Sequence, residues 1–137
     1  MKKLLILAFM VLMFMSASAQ CLQKGNLVGI HIIDLKLNPG VTVEQATDFL
    51  IHKNIPAYEQ CFEGSKVFLL KWIRGENSEK IGMLVVFKNA EARNVYWNDD
   101  ASLTEEGLDA VAKMQSLVEE RNKLGNMTVA YTDWLIQ

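Results

Sequence analysis

Three polar side chains, His31, Tyr58 and Arg74, could fall among large apolar ones and so make a small-molecule site. A histidine there can orient or deprotonate a ligand, because its imidazole titrates close to neutral pH. The large side chains available to line such a site are Phe49, Phe68, Trp72, Phe87, Tyr96 and Trp97, and Gly29 and Gly82 leave room within strands. A mainly apolar cleft with a few convergent polar groups is what small-molecule sites look like. The candidate pocket residues are therefore His31, Tyr58, Trp72, Arg74 and Trp97, with His31 the catalytic candidate. The competing reading is that these aromatics fill the core. His31 would then be a hydrogen-bonded core residue, since it shares a strand face with Leu27, Ile33 and Leu35.

The remaining polar residues promise less. His31 and Asp34 point to opposite faces of a straight strand, so they cannot share a site without a bulge. His52 lies off the apolar stripe of its helix and reads as solvated. Lys71 interrupts an apolar strand face, and at a strand end it can carry its head group out to water. Asn98, Asp99 and Asp100 could touch a hard cation, but they also make an ordinary solvated helix break, and no metal site is assigned. There is no Gly-rich phosphate loop, CxxC, HExxH or GxSxG, and no cofactor is expected.

The elements that must position these residues follow from periodicity and turn chemistry. Leu27 to Leu37 reads as a strand bounded by Gly25-Asn26 and Asn38-Pro39-Gly40. Thr42 with Gln45 makes a capping box, and Val43, Ala46, Phe49 and Leu50 form an apolar helical stripe. Pro56 should end or kink that helix near Asn54, with a further turn carrying Tyr58 and Phe62 to Gly64. Lys66 to Arg74 and Ile81 to Lys88 read as a hairpin around Gly75-Glu76-Asn77-Ser78. Asn89 caps a short helix through Trp97. Ser102 with Glu105 opens a longer one to about Leu124, stopped by Gly125, and Gly107 in its apolar stripe permits close approach to a sheet. Met127 to Ile136 is the last strand. The order β-α-β-β-α-β predicts an α+β, ferredoxin-like fold: a four-stranded antiparallel sheet with both helices on one face.

The first residues predict export. Lys2 and Lys3, the apolar run Leu4 to Met15, and Ser16-Ala17-Ser18-Ala19 are the three parts of a secretory signal peptide. About a dozen apolar residues are too few to span ~30 Å of hydrocarbon comfortably. The expectation is a signal over 1–19, cleavage after Ala19, a single domain over 20–137, and no membrane span after cleavage. Lipidation at Cys21 is disfavoured because the long, polar Gln20 stands where a small residue is wanted. The short Met- and Phe-rich signal has a bacterial style, so the destination is periplasmic or secreted. The full chain carries 14 basic and 16 acidic side chains, net −2, and loss of Lys2 and Lys3 leaves 12 against 16, net −4. A mildly acidic domain has no electrostatic reason to hold nucleic acid.

Two layers should bury one sheet face and leave the other polar, yet both faces read apolar. Val28, Ile30 and Ile32 oppose Leu27, Ile33 and Leu35. Phe68, Leu70 and Trp72 oppose Val67, Leu69 and Ile73. Leu84 and Val86 oppose Met83, Val85 and Phe87. The helices cover one face, and a homodimer through the sheet is expected to cover the other. The strand, then Pro39-Gly40-Val41-Thr42, a helix ending near Pro56, Gly64 and a hairpin together resemble the dimeric α+β barrel superfamily. That superfamily includes antibiotic-biosynthesis monooxygenase-like and stress-responsive barrel proteins. The resemblance covers nearly all of the mature chain, as architecture. It implies sheet-to-sheet dimers, with ligands held between sheet and helices. Among such proteins are cofactor-free oxygenases, haem-degrading enzymes and binders of small hydrophobic ligands. The helical histidine and tryptophan of the haem-degrading members have no counterpart, because His52, Trp72 and Trp97 match no such motif. Three functions stay open: an envelope protein binding a small apolar ligand or a partner, a cofactor-free monooxygenase-like enzyme, and a purely structural dimer.

Cys21 and Cys61 are the only cysteines, in a compartment expected to be oxidising. The first helix runs back along the first strand, so its end returns near Cys21. A disulfide closing that loop could add up to ~4 kcal/mol.

Overall fold

A computed structural model describes residues 22–75 and 80–137. The expected signal segment 1–19, its cleavage point and Cys21 lie outside the described residues. The elements in chain order are β1 (Leu27–Leu37), α1 (Val43–Phe49), a π-helical turn (Leu50–Asn54), α2 (Ile55–Cys61), β2 (Ser65–Lys71), β3 (Ile81–Phe87), α3 (Ala90–Asn94), α4 (Glu105–Lys113), α5 (Gln115–Leu124) and β4 (Gly125–Leu135). The four strands form one antiparallel sheet in the order β2-β3-β1-β4. This is the α+β, ferredoxin-like architecture that the element order predicts.

Local chemistry accounts for the boundaries. Thr42 accepts from the Gln45 amide at 3.2 Å while the Gln45 side chain accepts from the Thr42 amide at 2.9 Å, a complete capping box. Pro56 neither ends nor sharply breaks the helical path. The chain widens by one residue per turn over Leu50–Asn54, and the Ile55 amide reaches back five residues to the Leu50 carbonyl. A wide turn of this kind accommodates the ring and missing N–H of a proline that an ordinary helical interior would reject. Lys53 of that turn pairs with Glu120 of α5. Glu59 on α2 accepts from the Val67 amide at 2.8 Å and from Lys66 at 2.9 Å, tying the helix to β2.

Several expected details differ. The cap of α4 is Thr104, which accepts from the Gly107 amide at 3.1 Å, whereas Ser102 bonds to Asp100 and Asn98 in the preceding loop. The long helix is broken at Met114 into α4 and α5. Gly125 is extended and opens β4, where a Cβ would come within 2.5 Å of the Lys36 carbonyl oxygen. Gly107 does permit a close approach, but to the Tyr96 carbonyl oxygen, 2.2 Å from where its Cβ would lie, and not to the sheet. β2 stops at Lys71, so Trp72, Ile73 and Arg74 lie beyond the ladder.

The core lies between the sheet and the helices. Ile33, Val67, Met83, Val85 and Phe87 from one sheet face meet Phe62, Tyr96, Ala110 and Met114. Alternation along β1, β2 and β3 groups these strand residues on one face, and the structure decides that this is the face the helices cover. On the opposite face Phe68, Leu70 and Trp134 are 46, 40 and 58 % exposed.

Candidate functional site

Register decides what meets His31. β1 pairs with β4 so that Gly29 faces Asp133, His31 faces Tyr131 and Ile33 faces Val129. All six then lie on the helix side of the sheet, because the side-chain period is two. Ile33 is buried under helices, but Val129 and Tyr131 are each 50 % exposed, so the helical layer stops short of β4. In the gap lies a cavity of about 170 Å³ lined by β1, β3 and β4 together with Tyr58 of α2, Arg93 of α3, and Trp97 and Ala101 from the loop after α3.

The wall is aromatic. Tyr58 stacks on Phe62 with ring centres 4.4 Å apart, and Phe62 stacks on Trp97 at 4.9 Å. The Phe87 ring meets Trp97 edge-on at 6.0 Å. The polar end is built over Gly29. A Cβ at that position would sit 3.0 Å from His31 Nε2 and 3.2 Å from Asp133 Oδ1, so the absent side chain makes the space those two atoms occupy. The His31 ring stacks on Tyr131 at 5.6 Å. Arg93 Nη2 donates to Asp133 Oδ2 at 3.0 Å, and its Nη1 donates to the Asn94 side chain at 3.1 Å and to the Asn98 carbonyl at 3.4 Å. The loop that carries Ala101 is closed by Asn98 and Ser102 through a backbone bond and by the Trp97–Leu103 bridge. Ala101 itself adopts φ +65°, a left-handed conformation unusual for a residue with a Cβ.

Burial sets the protonation states. It lowers the pKa of His31 below the ordinary imidazole value, and the Asp133 charge only partly opposes this. It also raises that of Tyr58 above the ordinary phenol range, with the Asp133 charge acting in the same direction. At neutral pH the cleft therefore presents a neutral imidazole, with one acceptor and one donor nitrogen, and a protonated phenol. Arg93 and Asp133 cancel each other's charge. The arrangement can hold a hydroxyl or carbonyl group at the His31–Tyr58 end of an apolar slot, and His31 is in the form that accepts a proton.

Of the five sequence candidates, His31, Tyr58 and Trp97 line this cavity. Trp72 and Arg74 do not. Trp72 packs beside Gly75 with its indole nitrogen buried and unpartnered among the described residues, and Arg74 is exposed in the turn after β2. Cys61 is half-buried at the end of α2, and its suggested bond to Cys21 falls outside the described residues. His52 is exposed on the π-helical turn, 2.9 Å from Asp48. Arg93, Tyr131 and Asp133 were not singled out from the sequence. For Tyr131 and Asp133 a signal existed: alternation along the last strand puts them on one face, and the predicted topology lays that strand beside β1. Nothing in the sequence marks Arg93, because the short α3 that carries it shows no periodicity.

No protein-family model matches the chain, and no curated protein does either. Among solved structures it is similar to At3g17210 from Arabidopsis thaliana, at 14% identity and a TM-score of 0.43, over 80% of this chain and 95% of that one. It is also similar to an ethyl tert-butyl ether D (EthD) family protein from Bacillus halodurans, at 17% identity and a TM-score of 0.36, over 76% of this chain and 96% of that one.

Proposed function

We propose that this is an exported, periplasmic or secreted protein that holds a small apolar molecule in the cleft between β1, β4 and the helices. The observation that carries the reading is the convergence of His31, Tyr58, Arg93 and Asp133 at one end of a slot walled by Trp97 and Phe87. A core histidine would be enclosed, whereas His31 is half-buried and lines the cavity beside a half-exposed Tyr131. We include in the proposal a homodimer of the dimeric α+β barrel type, formed through the outer sheet face that bears Phe68, Leu70 and Trp134. Its support is physical: exposed apolar side chains on one sheet face are favourable to cover. No helix among the described residues is long and apolar enough to cross a membrane.

One observation favours a second reading, a cofactor-free monooxygenase-like enzyme. A general base must be unprotonated to act, and burial keeps His31 neutral. Native mass spectrometry of protein purified from the cell envelope is the test. A retained small molecule, lost in His31→Ala while the fold survives, is the expected result. Stability collapsing by several kcal/mol in that variant, with no ligand found, would make His31 a core residue and leave a structural dimer.

A further inference from the structure

The ion pair in the wall of the cleft bears on which ligands it can hold. Arg93 and Asp133 both line the cavity and come from different elements, one from α3 and the other from the edge strand β4. Their contact is direct, 3.0 Å, and the pair is partly buried, with the Arg93 side chain 15 % and the Asp133 side chain 29 % exposed. The second Arg93 nitrogen is taken up by Asn94 and Asn98. The second Asp133 oxygen stands over Gly29 next to His31 Nε2. The ionisable groups around the cavity are thus His31, Tyr58, Arg93, Tyr131 and Asp133, and the only two full charges among them face each other.

The geometry points to a cleft that selects an uncharged, hydroxyl-bearing ligand over its carboxylate and ammonium analogues, with Arg93 and Asp133 as the specificity-determining pair. This deepens the small-molecule reading of the same cleft and rests on it. A carboxylate entering the slot would face the Asp133 charge and could reach the guanidinium only by displacing Asp133 from it. An ammonium group would face Arg93 and meet the reverse problem. Like-charge approach and the loss of an ion-pair partner are both unfavourable, and more so for a partly buried pair than for one fully in water. A hydroxyl displaces neither charge: it can donate to one group and accept from another at the His31–Tyr58 end. Selection by charge is therefore built from a pair that neutralises itself, and removing either member should invert the preference in a defined direction.

Three probes of one size separate the cases: benzyl alcohol, benzoate and benzylammonium, titrated against the purified protein by ligand-observed NMR at neutral pH. The wild type should bind the alcohol at least about tenfold more tightly than either ion. Asp133→Asn frees the Arg93 charge and should bring benzoate level with the alcohol or ahead of it. Arg93→Gln frees the Asp133 charge and should do the same for benzylammonium. The wild-type ranking is a test on its own if one variant fails to fold. Equal binding of all three probes, or an ion ranked first, overturns the charge selection while leaving the cleft as a binding site. An alcohol-first ranking that neither variant changes overturns the role of the pair. Failure of all three to bind overturns the small-molecule reading itself.

Discussion

The two faces of this sheet are built from similar residues and meet different fates. On the helix side Val67, Met83, Val85 and Phe87 are each at most 8 % exposed, while the outer side is mixed: Val28 and Val86 are 4 and 6 % exposed there, but Phe68 and Leu70 are 46 and 40 %. Alternation along a strand distributes apolar side chains but does not supply what covers them. The helix side also divides within itself. Met83 and His31 are register partners, yet Met83 lies under helices and His31 looks towards Tyr131, where the helical layer ends. Function is proposed at that boundary because a ligand can take the place of the missing cover.

The sharpest way to break the comparison is on the covered side. Phe62 is 2 % exposed and touches Tyr58, Tyr96 and Trp97. Phe62→Ala should lose about 3–5 kcal/mol in urea unfolding. A loss below about 1 kcal/mol would mean the helix side is no better packed than the outer one. On the outer face, Phe68→Glu should leave the monomer fold within about 0.5 kcal/mol, as exposed substitutions do, but abolish self-association. Sedimentation should show the wild type at twice the monomer mass and the variant at once; a wild type already monomeric removes the dimer.

The cleft boundary gives two smaller effects. Ala101 at φ +65° carries a strain that glycine does not. Ala101→Gly should therefore raise stability by up to about 1 kcal/mol, and a loss of stability would show that the Ala101 methyl group packs. The smallest effect is in pH. The folded-state pKa of His31 lies below its unfolded value of about 6.5. Just below that value the unfolded chain binds a proton that the folded chain does not, so stability rises with pH through this window. The contribution is complete above about 6.5 and is lost as pH falls. The difference in stability between wild type and His31→Gln should shrink on acidification from about pH 7.5 to about 5, and a difference independent of pH would place His31 in water.

Much of the chain is legible in its sequence, for reasons that are local. The bounds of β1, the Thr42–Gln45 capping box, the Asn89 cap and the β-α-β-β-α-β order come from periodicity and side-chain-to-backbone bonding within a few residues. So does the division of β1, β2 and β3 into two faces, because the period of two is a property of each strand alone, although which face turns inward is settled by where the helices pack. His31, Tyr58 and Trp97 are also readable as pocket residues. Three features needed the tertiary structure. Pro56 is absorbed in a wide turn because the helix continues on to pack and bond against β2, a gain no local rule counts. The register of β4 on β1 brings Asp133 over Gly29 from the far end of the chain. The Arg93–Asp133 pair forms only once α3 and the edge strand are side by side. Secondary structure is decided by neighbours in the chain, whereas a site is decided by neighbours in space, and here those come from both ends of the described chain.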